Sequence, residues 1–265
     1  APSFDPRAIR DRRAYGRLQR DPTLPLWNRA VSGNYPPGST FKPVVALAAL
    51  VNGKVTAAKS YSCNHVFYLG ERPFRCWRKS GHGATNMRKS IEQSCNVYYF
   101  ELGRECGIGR IYHMAEALGF GHRTGIGIPS EKMGLLPSDR WKRERFNDAW
   151  RPGDTCNLSI GQGFLLATPL QMAVYTATLA NGGHVLRPRL TVDQPDAEIV
   201  NEMNWSSDVI NLIKGAMEDV VHAERGTAKR ARIPGVRMAG KTGSAQYGPN
   251  YKKTYAWMIA FAPVD

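Results

Sequence analysis

The spacing of apolar positions predicts a chain built largely of helices. Apolar residues recur every three or four positions in several segments that also carry helix start and stop signals. The clearest segment opens with Thr168 and Pro169 and ends at Asn181 and Gly182. We expect irregular structure at about 1–34, 54–84 and 119–163. We predict helices at about 39–51, with Ser39 or Thr40 as its cap, and at 86–93, 97–107, 110–119, 168–182 and 206–221.

Apolar runs typical of strands occur only near the end of the sequence. Residues 236–247 and 254–264 would form a hairpin across the turn at 248–253. The stretch "AWMIAFA" is apolar on both faces, which indicates a central strand that is covered on both sides. Because two strands make a poor sheet on their own, we expect further strands of this sheet to lie outside the sequence.

The composition is that of a globular protein with a basic surface. With 265 residues, 42% of them hydrophobic, the chain can bury a sizeable core. We find no apolar run of about 18 residues and no signal peptide, so we expect no membrane span within it. The net charge of +14 would suit nucleic acid, but no reader motif accompanies it. The charge therefore favours anionic neighbours such as phospholipid or cell-wall polymer.

A serine and a lysine stand at the start of the first predicted helix, in "YPPGSTFKP". Ser39 and Lys42 are three residues apart, so on a helix they lie on the same face. A serine hydroxyl needs a neighbouring base to become a nucleophile, and a lysine can be that base when burial or a nearby cation lowers its pKa. The pair alone leaves a second interpretation open, in which Ser39 only caps the helix and Lys42 reaches out to solvent.

Two further motifs follow this pair in a characteristic order. "SCN" places Ser94 and Asn96 at a helix junction, and "KTGS" begins with Lys241 on a predicted strand. Ser-x-x-Lys, Ser-x-Asn and Lys-Thr-Gly in this order are the signature of penicillin-recognising acyl-transfer enzymes. The sequence resembles the class B penicillin-binding proteins, through "NRAVSGNYPPGSTFKP", "SIGQGFLLATPLQMA" and "MAGKTGSAQ". "RCWRKSGHG" and "SCNVYYFELG" are similar to the elongation-type members of that class, the penicillin-binding protein 2 group.

This resemblance implies a fold, a domain arrangement and a location. The fold would be the α/β (α+β) transpeptidase fold shared with serine β-lactamases, with a central antiparallel sheet flanked by helices and an all-helical subdomain. Residues 1–265 would form the transpeptidase domain alone, in truncated form, without the N-terminal membrane helix and pedestal domain of the family. The protein would work at the periplasmic face of the cytoplasmic membrane, held there by that missing anchor.

The implied activity is peptidoglycan D,D-transpeptidation. The enzyme would form a serine acyl-enzyme on the D-Ala-D-Ala end of a stem peptide without a cofactor, and β-lactam antibiotics would acylate the same serine. A glycosyltransferase and other elongation-complex proteins would be partners, and nucleic acid would not.

Three alternatives to this activity stay open. They are a D-Ala-D-Ala carboxypeptidase, in which water attacks; a serine β-lactamase, whose Glu-x-x-x-Asn signature we do not find; and a β-lactam-sensing receptor, which usually lacks the Ser-x-Asn form.

The resemblance also assigns roles in proton transfer. Ser39 would attack the stem-peptide carbonyl, and Lys42 would accept its proton. Ser94 would bridge Lys42 and Lys241 and pass a proton toward the leaving amine. Asn96 would hydrogen-bond both Lys42 and the amide backbone of the substrate.

The remaining roles concern substrate binding. Lys241 would supply positive potential, and Thr242 with Ser244 would bind the substrate carboxylate. Gly243 would let the strand edge approach the substrate closely. The backbone N–H groups of Ser39 and Ser244 would form the oxyanion hole.

Three cysteines and a histidine form a candidate metal site. Cys63, Cys76, His82 and Cys95 follow the pattern C-x12-C-x5-H-x12-C, and Cys95, in the middle of "SCN", is expected to point into the protein. Three thiolates and an imidazole are a common ligand set for structural zinc. The resemblance also favours zinc, because it implies a metal site in this segment of some elongation-type relatives, partly with carboxylate ligands. A Cys63–Cys76 disulfide beside a free Cys95, or unlinked thiols, stay open.

Three residues near these motifs have weaker signals. We interpret Gln162 of "SIGQG" as part of a tight structural loop rather than a substrate contact. Trp77 and Tyr35 could wall a cleft, although most such aromatic residues simply pack in the core.

Overall fold

A computed structural model describes residues 2–193, 197–247 and 253–264. Its α-helices are α1 (Arg12–Arg20), α2 (Arg29–Ser32), α3 (Lys42–Val51), α4 (Met87–Glu92), α5 (Asn96–Cys106), α6 (Ile108–Ala117), α7 (Asp139–Phe146), α8 (Pro152–Ser159), α9 (Pro169–Ala180) and α10 (Ser207–His222). Its strands are β1 (Tyr61–Cys63), β2 (Val66–Leu69), β3 (Arg72–Arg75), β4 (Gly83–Thr85), β5 (His184–Leu186), β6 (Ile199–Glu202), β7 (Ala239–Tyr247) and β8 (Lys253–Phe261). No helix in these described ranges is both long and apolar enough to cross a membrane.

Helix α3 forms the centre of the core. Its first eight residues are buried, which is the expected behaviour of a helix that is apolar all round. Helices α5, α6 and α10 pack around it. The prediction of a helix in this region was therefore right, and its N-terminus lies deep inside the protein.

The largest sheet pairs β7 with β8 in antiparallel register, from Ala239 opposite Phe261 to Tyr247 opposite Lys253. Helix α10 packs against β7, and α9 packs against β8. The predicted hairpin is confirmed, while its turn at 248–252 lies outside the described residues. The prediction that both faces of β8 are covered was wrong for this structure. Ile259 is buried, whereas Met258 on the opposite face is 42% exposed.

Several segments predicted as irregular contain regular structure. Helix α1, capped by Asp11, lies within 1–34. Helices α7 and α8 lie within 119–163, and Ser138 caps α7. Helix α7 ends at Asn147 in the left-handed conformation. These helices are rich in charged or polar residues and poor in apolar ones, so apolar periodicity does not reveal them. In 54–84 the chain forms the short antiparallel pairs β1–β4 and β2–β3.

The start of α3 differs from the prediction that Ser39 or Thr40 caps it. A 3-10 turn at Gly38–Phe41 precedes the helix, and neither element has a side-chain N-cap hydrogen bond. The Thr40 hydroxyl instead donates to the Pro37 carbonyl, at 2.7 Å. The Ser39 side chain is therefore not engaged in capping.

Candidate active site

A cleft of about 470 Å³ brings the three sequence motifs together. It is lined by residues from the 3-10 turn, from the junction between α4 and α5, and from β7. Ser39, Ser94, Asn96, Thr242, Gly243 and Ser244 all contribute to its wall. Residues that are 55 and more positions apart in the chain thus share one cavity, as the three-motif pattern predicts.

Lys42 lies beneath this cleft with no exposed surface. Its Nζ donates to the Ser94 carbonyl at 2.8 Å, to Ser94 Oγ at 3.1 Å and to Asn96 Oδ1 at 2.8 Å. The interpretation in which Lys42 reaches solvent is therefore wrong. Burial lowers the pKa of Lys42 to about 8, and negative charge on the nearby sulfurs of Cys95 and Cys76 opposes part of that shift. A lysine with this pKa is partly neutral near physiological pH and can accept a proton.

Ser94 is held in an unusual backbone conformation. Its φ of 54° is left-handed, a region that costs a non-glycine residue about 1–2 kcal/mol. Gln93 is the C-cap of α4 and Cys95 is the N-cap of α5, so Ser94 is the single residue between the two caps. Ser94 lines the cleft, while Cys95 has no exposed surface and accepts a hydrogen bond from the Tyr98 N–H. This agrees with the expectation that Cys95 points inward.

Lys241 on β7 is also fully buried, and its Nζ donates to the Thr242 carbonyl at 3.0 Å. Within the part of the chain that the structure describes, no hydrogen bond joins it to Ser94, so the bridge from Lys42 through Ser94 to Lys241 is not formed here. Burial and the charge of Lys42 lower the pKa of Lys241 well below its usual value. The charge of Lys42 thus disfavours the charged form of Lys241.

Glycines bring the 3-10 turn and β7 into contact. A Cβ atom on Gly243 would lie 3.0 Å from the Pro37 carbonyl oxygen, and one on Gly38, whose φ is +58°, would lie 3.1 Å from that of Ser244. Gly243 therefore allows the strand to approach the turn that carries Ser39. Besides the close approach of substrate expected from the sequence, contact with the 3-10 turn is thus a second reason for a glycine at this position.

The rest of the cleft lining consists of Trp77, Ile160, Gln162 and Thr227. Thr227 Oγ1 lies 2.6 Å from Thr242 Oγ1, a contact that no motif in the sequence indicated. Gln162 also reaches the cleft, although the neighbouring Gly161 packs tightly on the backbone of the 3-10 turn, as a structural loop would. Trp77 forms part of the wall. Tyr35, by contrast, packs outside the cleft, with its ring centroid 4.9 Å from that of Tyr255.

The four candidate metal ligands converge behind Ser94. Cys63, Cys76, His82 and Cys95 are all buried, and their ligand atoms lie within 4.8 Å of one another. The Sγ atoms of Cys63 and Cys76 are each 3.5 Å from His82 Nδ1. All three cysteines are free thiols, so the Cys63–Cys76 disulfide is absent from the described residues. A hydrogen bond from the Cys95 thiol lowers the pKa of Cys76, which favours a thiolate there.

Comparison with known proteins identifies the family. The family model for the penicillin-binding protein transpeptidase domain matches residues 1–265. The chain belongs to the penicillin-binding protein transpeptidase family. The fold and class expected from the sequence are thereby confirmed, including the similarity to penicillin-binding protein 2.

Individual relatives of this transpeptidase domain carry consistent names. Peptidoglycan D,D-transpeptidase MrdA of Acinetobacter baumannii is 37% identical over 100% of this chain and 43% of its own length. The protein of the same name from Escherichia coli K12 is 35% identical over 100% of this chain and 46% of its own length. The chain thus spans less than half the length of these curated relatives.

Solved structures give the same result. Penicillin-binding protein 2 of Pseudomonas aeruginosa, in complex with WCK 5153, superposes with a TM-score of 0.90 at 34% identity, covering 100% of this chain and 62% of that one. Penicillin-binding protein 2 of Helicobacter pylori, in complex with MreC, gives a TM-score of 0.86 at 34% identity, covering 96% of this chain and 48% of that one.

Proposed function

We propose that this transpeptidase domain cross-links peptidoglycan stem peptides through an acyl-enzyme on Ser39. The observation that carries the proposal is the buried Lys42, whose Nζ contacts Ser94 and Asn96 directly behind the cleft that Ser39 lines. Lys42 follows Ser39 by three residues, and lysine-activated acyl transfer requires such a base near its nucleophilic serine. The names of the relatives support the same reaction.

The first half of the reaction consumes a D-Ala-D-Ala stem peptide. Neutral Lys42 takes the proton from Ser39 as Oγ attacks the carbonyl carbon of the penultimate D-alanine. A proton then passes by way of Ser94, which Lys42 contacts, to the nitrogen of the leaving D-alanine, and the C–N bond breaks. Asn96 holds Lys42 through Oδ1 during these transfers. The acyl group remains on Ser39 as an ester.

Binding groups at β7 orient the substrate. Thr242 and Ser244 are assigned to the terminal carboxylate, and Lys241 adds positive potential once that carboxylate stabilises its ammonium form. The N–H groups of Ser39 and Ser244 are assigned to the oxyanion, a role in which one donor typically contributes about a hundred- to a thousandfold in rate. The contact between the 3-10 turn and β7 supports this pairing, because it brings the two residues to one cleft.

In the second half, the amine of another stem peptide attacks the ester and forms the cross-link. Water attack instead would make the enzyme a carboxypeptidase. The test incubates the protein with a stem pentapeptide and an acceptor amine, and follows released D-alanine and the cross-linked product by mass spectrometry. We expect both products, and neither with Ser39→Ala. Release of D-alanine without any cross-link would contradict the transpeptidase assignment. If the full-length protein releases no D-alanine, the proposal that it is an enzyme acting on stem peptides is contradicted.

We further propose that Cys63, Cys76, His82 and Cys95 hold a structural zinc ion. Ligands of a tetrahedral zinc at about 2.0–2.3 Å lie about 3.5 Å apart, which matches the two 3.5 Å contacts to His82 Nδ1. Bound zinc would only hold in place the loop before α5, which carries Ser94. It would take no part in the acyl transfer.

Elemental analysis of protein purified without chelator tests the zinc proposal. We expect about one zinc per chain, lost in Cys63→Ala and retained in Cys106→Ala, which removes a buried thiol outside the cluster. A wild-type protein that contains no zinc would refute it.

Two solved relatives support a proposal about the partners of this protein. One penicillin-binding protein 2 structure contains MreC, and another neighbour belongs to a peptidoglycan synthase complex that coordinates polymerization and crosslinking. We propose that this domain likewise acts with a glycosyltransferase and other elongation proteins. It would do so as the transpeptidase part of a longer protein, with a membrane anchor and a pedestal domain, at the periplasmic face of the cytoplasmic membrane.

A further inference from the structure

Trp77 occupies an exposed position at the mouth of the cleft. Trp77 is 58% exposed, and it lines the same cavity as Ser39 and Asn96. An exposed tryptophan gains little stabilisation from burial, so burial alone does not explain a tryptophan at this position. The contacts of Trp77 are made by the indole N–H rather than by the ring alone.

The indole N–H reaches the backbone that carries the second motif. Trp77 Nε1 donates to the Ser94 carbonyl at 3.1 Å and to the Gln93 carbonyl at 3.2 Å. The Ser94 carbonyl is also an acceptor for Lys42 Nζ, at 2.8 Å. One oxygen atom thus joins an exposed residue of the cleft wall to the fully buried lysine.

Because of the backbone conformation of Ser94, the position of its carbonyl oxygen depends on the hydrogen bonds that this oxygen accepts. The left-handed φ of 54° is unfavourable for serine, so outside contacts must hold it. The two donors, Lys42 and Trp77, fix the carbonyl from the inside and from the cleft side. The N–H of the same peptide, that of Cys95, donates to the Ser90 carbonyl at 3.1 Å. Without the indole N–H, the Ser94 carbonyl would lose its donor on the cleft side, and the position of Lys42 relative to Ser39 would be less tightly fixed.

Trp77 is itself anchored by the candidate metal cluster. It follows Cys76 directly in the chain, and its ring lies edge-on to that of His82, with centroids 5.4 Å apart. The Cys76 Sγ also accepts a hydrogen bond from the Asn96 N–H, at 3.3 Å. The cluster therefore supports both sides of the motif that contacts Lys42.

We infer that Trp77 is a positioning residue for acylation: its indole N–H fixes the Ser94 carbonyl, and that carbonyl fixes Lys42 for proton transfer from Ser39. The inference rests on the proposed function. It separates two roles of the side chain, because the ring forms the cleft wall while the N–H acts on the chemical step.

The test measures acylation by benzylpenicillin under rapid mixing, which separates the dissociation constant of the non-covalent complex from the acylation rate at saturation. Trp77→Phe retains an aromatic wall and removes the N–H. We expect the saturating acylation rate to fall about tenfold, as for one lost hydrogen bond, while the dissociation constant changes less than about twofold. Trp27→Phe, at an exposed tryptophan outside the cleft lining, should match the wild type in both quantities.

Other outcomes overturn the inference. An unchanged acylation rate in Trp77→Phe, or a loss expressed only in the dissociation constant, would show that the N–H does not act on the chemical step. If Trp77→Phe melts below the assay temperature, benzothienylalanine at position 77 keeps the ring shape and replaces the N–H with sulfur, and the same result is required of it. A wild-type protein that is not acylated at all would instead refute the proposed function on which the inference rests.

Discussion

The acylation rate of Ser39 should follow the neutral fraction of Lys42 as pH changes. Burial lowers the pKa of Lys42 to about 8, so its neutral, proton-accepting form becomes dominant above that pH. We therefore expect the rate at saturating benzylpenicillin to rise about tenfold per pH unit below 8 and to level off above it. The direction follows from the role of the residue, since only the deprotonated amine can accept the proton of Ser39.

The size of the effect follows from the shift. At pH 7 a lysine with a pKa of about 8 is neutral in about a tenth of molecules, whereas one with the usual value of 10.5 is neutral in about 0.03%. Burial therefore raises the available base about 300-fold at neutral pH. The three acceptors around Nζ hold this amine in place but do not raise its pKa to the usual value.

The assay is rapid-mixing acylation between pH 6 and 9.5. At saturating drug the measured rate is that of the chemical step. Loss of the Lys241 charge with rising pH would instead weaken binding of the drug, which saturation removes from the measurement. Lys42→Met should remove nearly all acylation, and Lys54→Met, at an exposed lysine beyond the end of α3, should keep the wild-type profile. A flat profile, or an inflection only near pH 10, would refute the assignment of Lys42 as a base with a lowered pKa.

Three further predictions concern the glycines and the cluster. Gly243→Ala should lower the acylation rate at least tenfold, because its Cβ would push β7 away from the 3-10 turn; a wild-type rate in the benzylpenicillin assay would contradict this. Gly161→Ala should lower the free energy of unfolding by about 3 kcal/mol in urea titrations, since its φ is +70° and its Cβ would overlap the Gly38 carbonyl. The control Gly16→Ala, where a Cβ meets open space, should not lower the free energy of unfolding. Removal of zinc by a chelator should lower the melting temperature by about 5 °C or more in scanning calorimetry, and an unchanged melting temperature would argue against a bound structural ion.

The sequence predicted those elements whose apolar spacing and caps agree. Helix α9 has Thr168 as its cap, in a reciprocal pair of hydrogen bonds with Gln171, and α10 buries one apolar face from Ile210 to Val221. Helix α7, "DRWKRERF", buries only Lys142, so its helical character rests on ion pairs and on the Ser138 cap, which apolar periodicity does not detect. Short pairs such as β1–β4 span three residues each, too few for a period to be visible.

The residues of the candidate site were predictable, but their contacts were only partly so. Ser39, Ser94 and the ligand quartet stand at or near the ends of elements, while the third motif lies within β7, and the fold brings these positions to one place. The contacts of Trp77 and Thr227 depend on loop paths that local sequence does not determine. The predicted cap at Ser39 failed because a 3-10 turn intervenes before α3.

The most direct test of Ser39 as the acylated nucleophile is the intact mass of the protein after mixing with benzylpenicillin, followed over hours beside Ser39→Ala. We predict a mass increase of one drug molecule per chain that persists in the wild type and is absent from the variant. The adduct should persist because no carboxylate or histidine is among the described residues that line the cleft, where it could activate water against the ester. An adduct that forms equally on Ser39→Ala, an adduct that disappears within minutes, or no adduct on folded wild-type protein would contradict the assignment of Ser39 as the nucleophile of a transpeptidase.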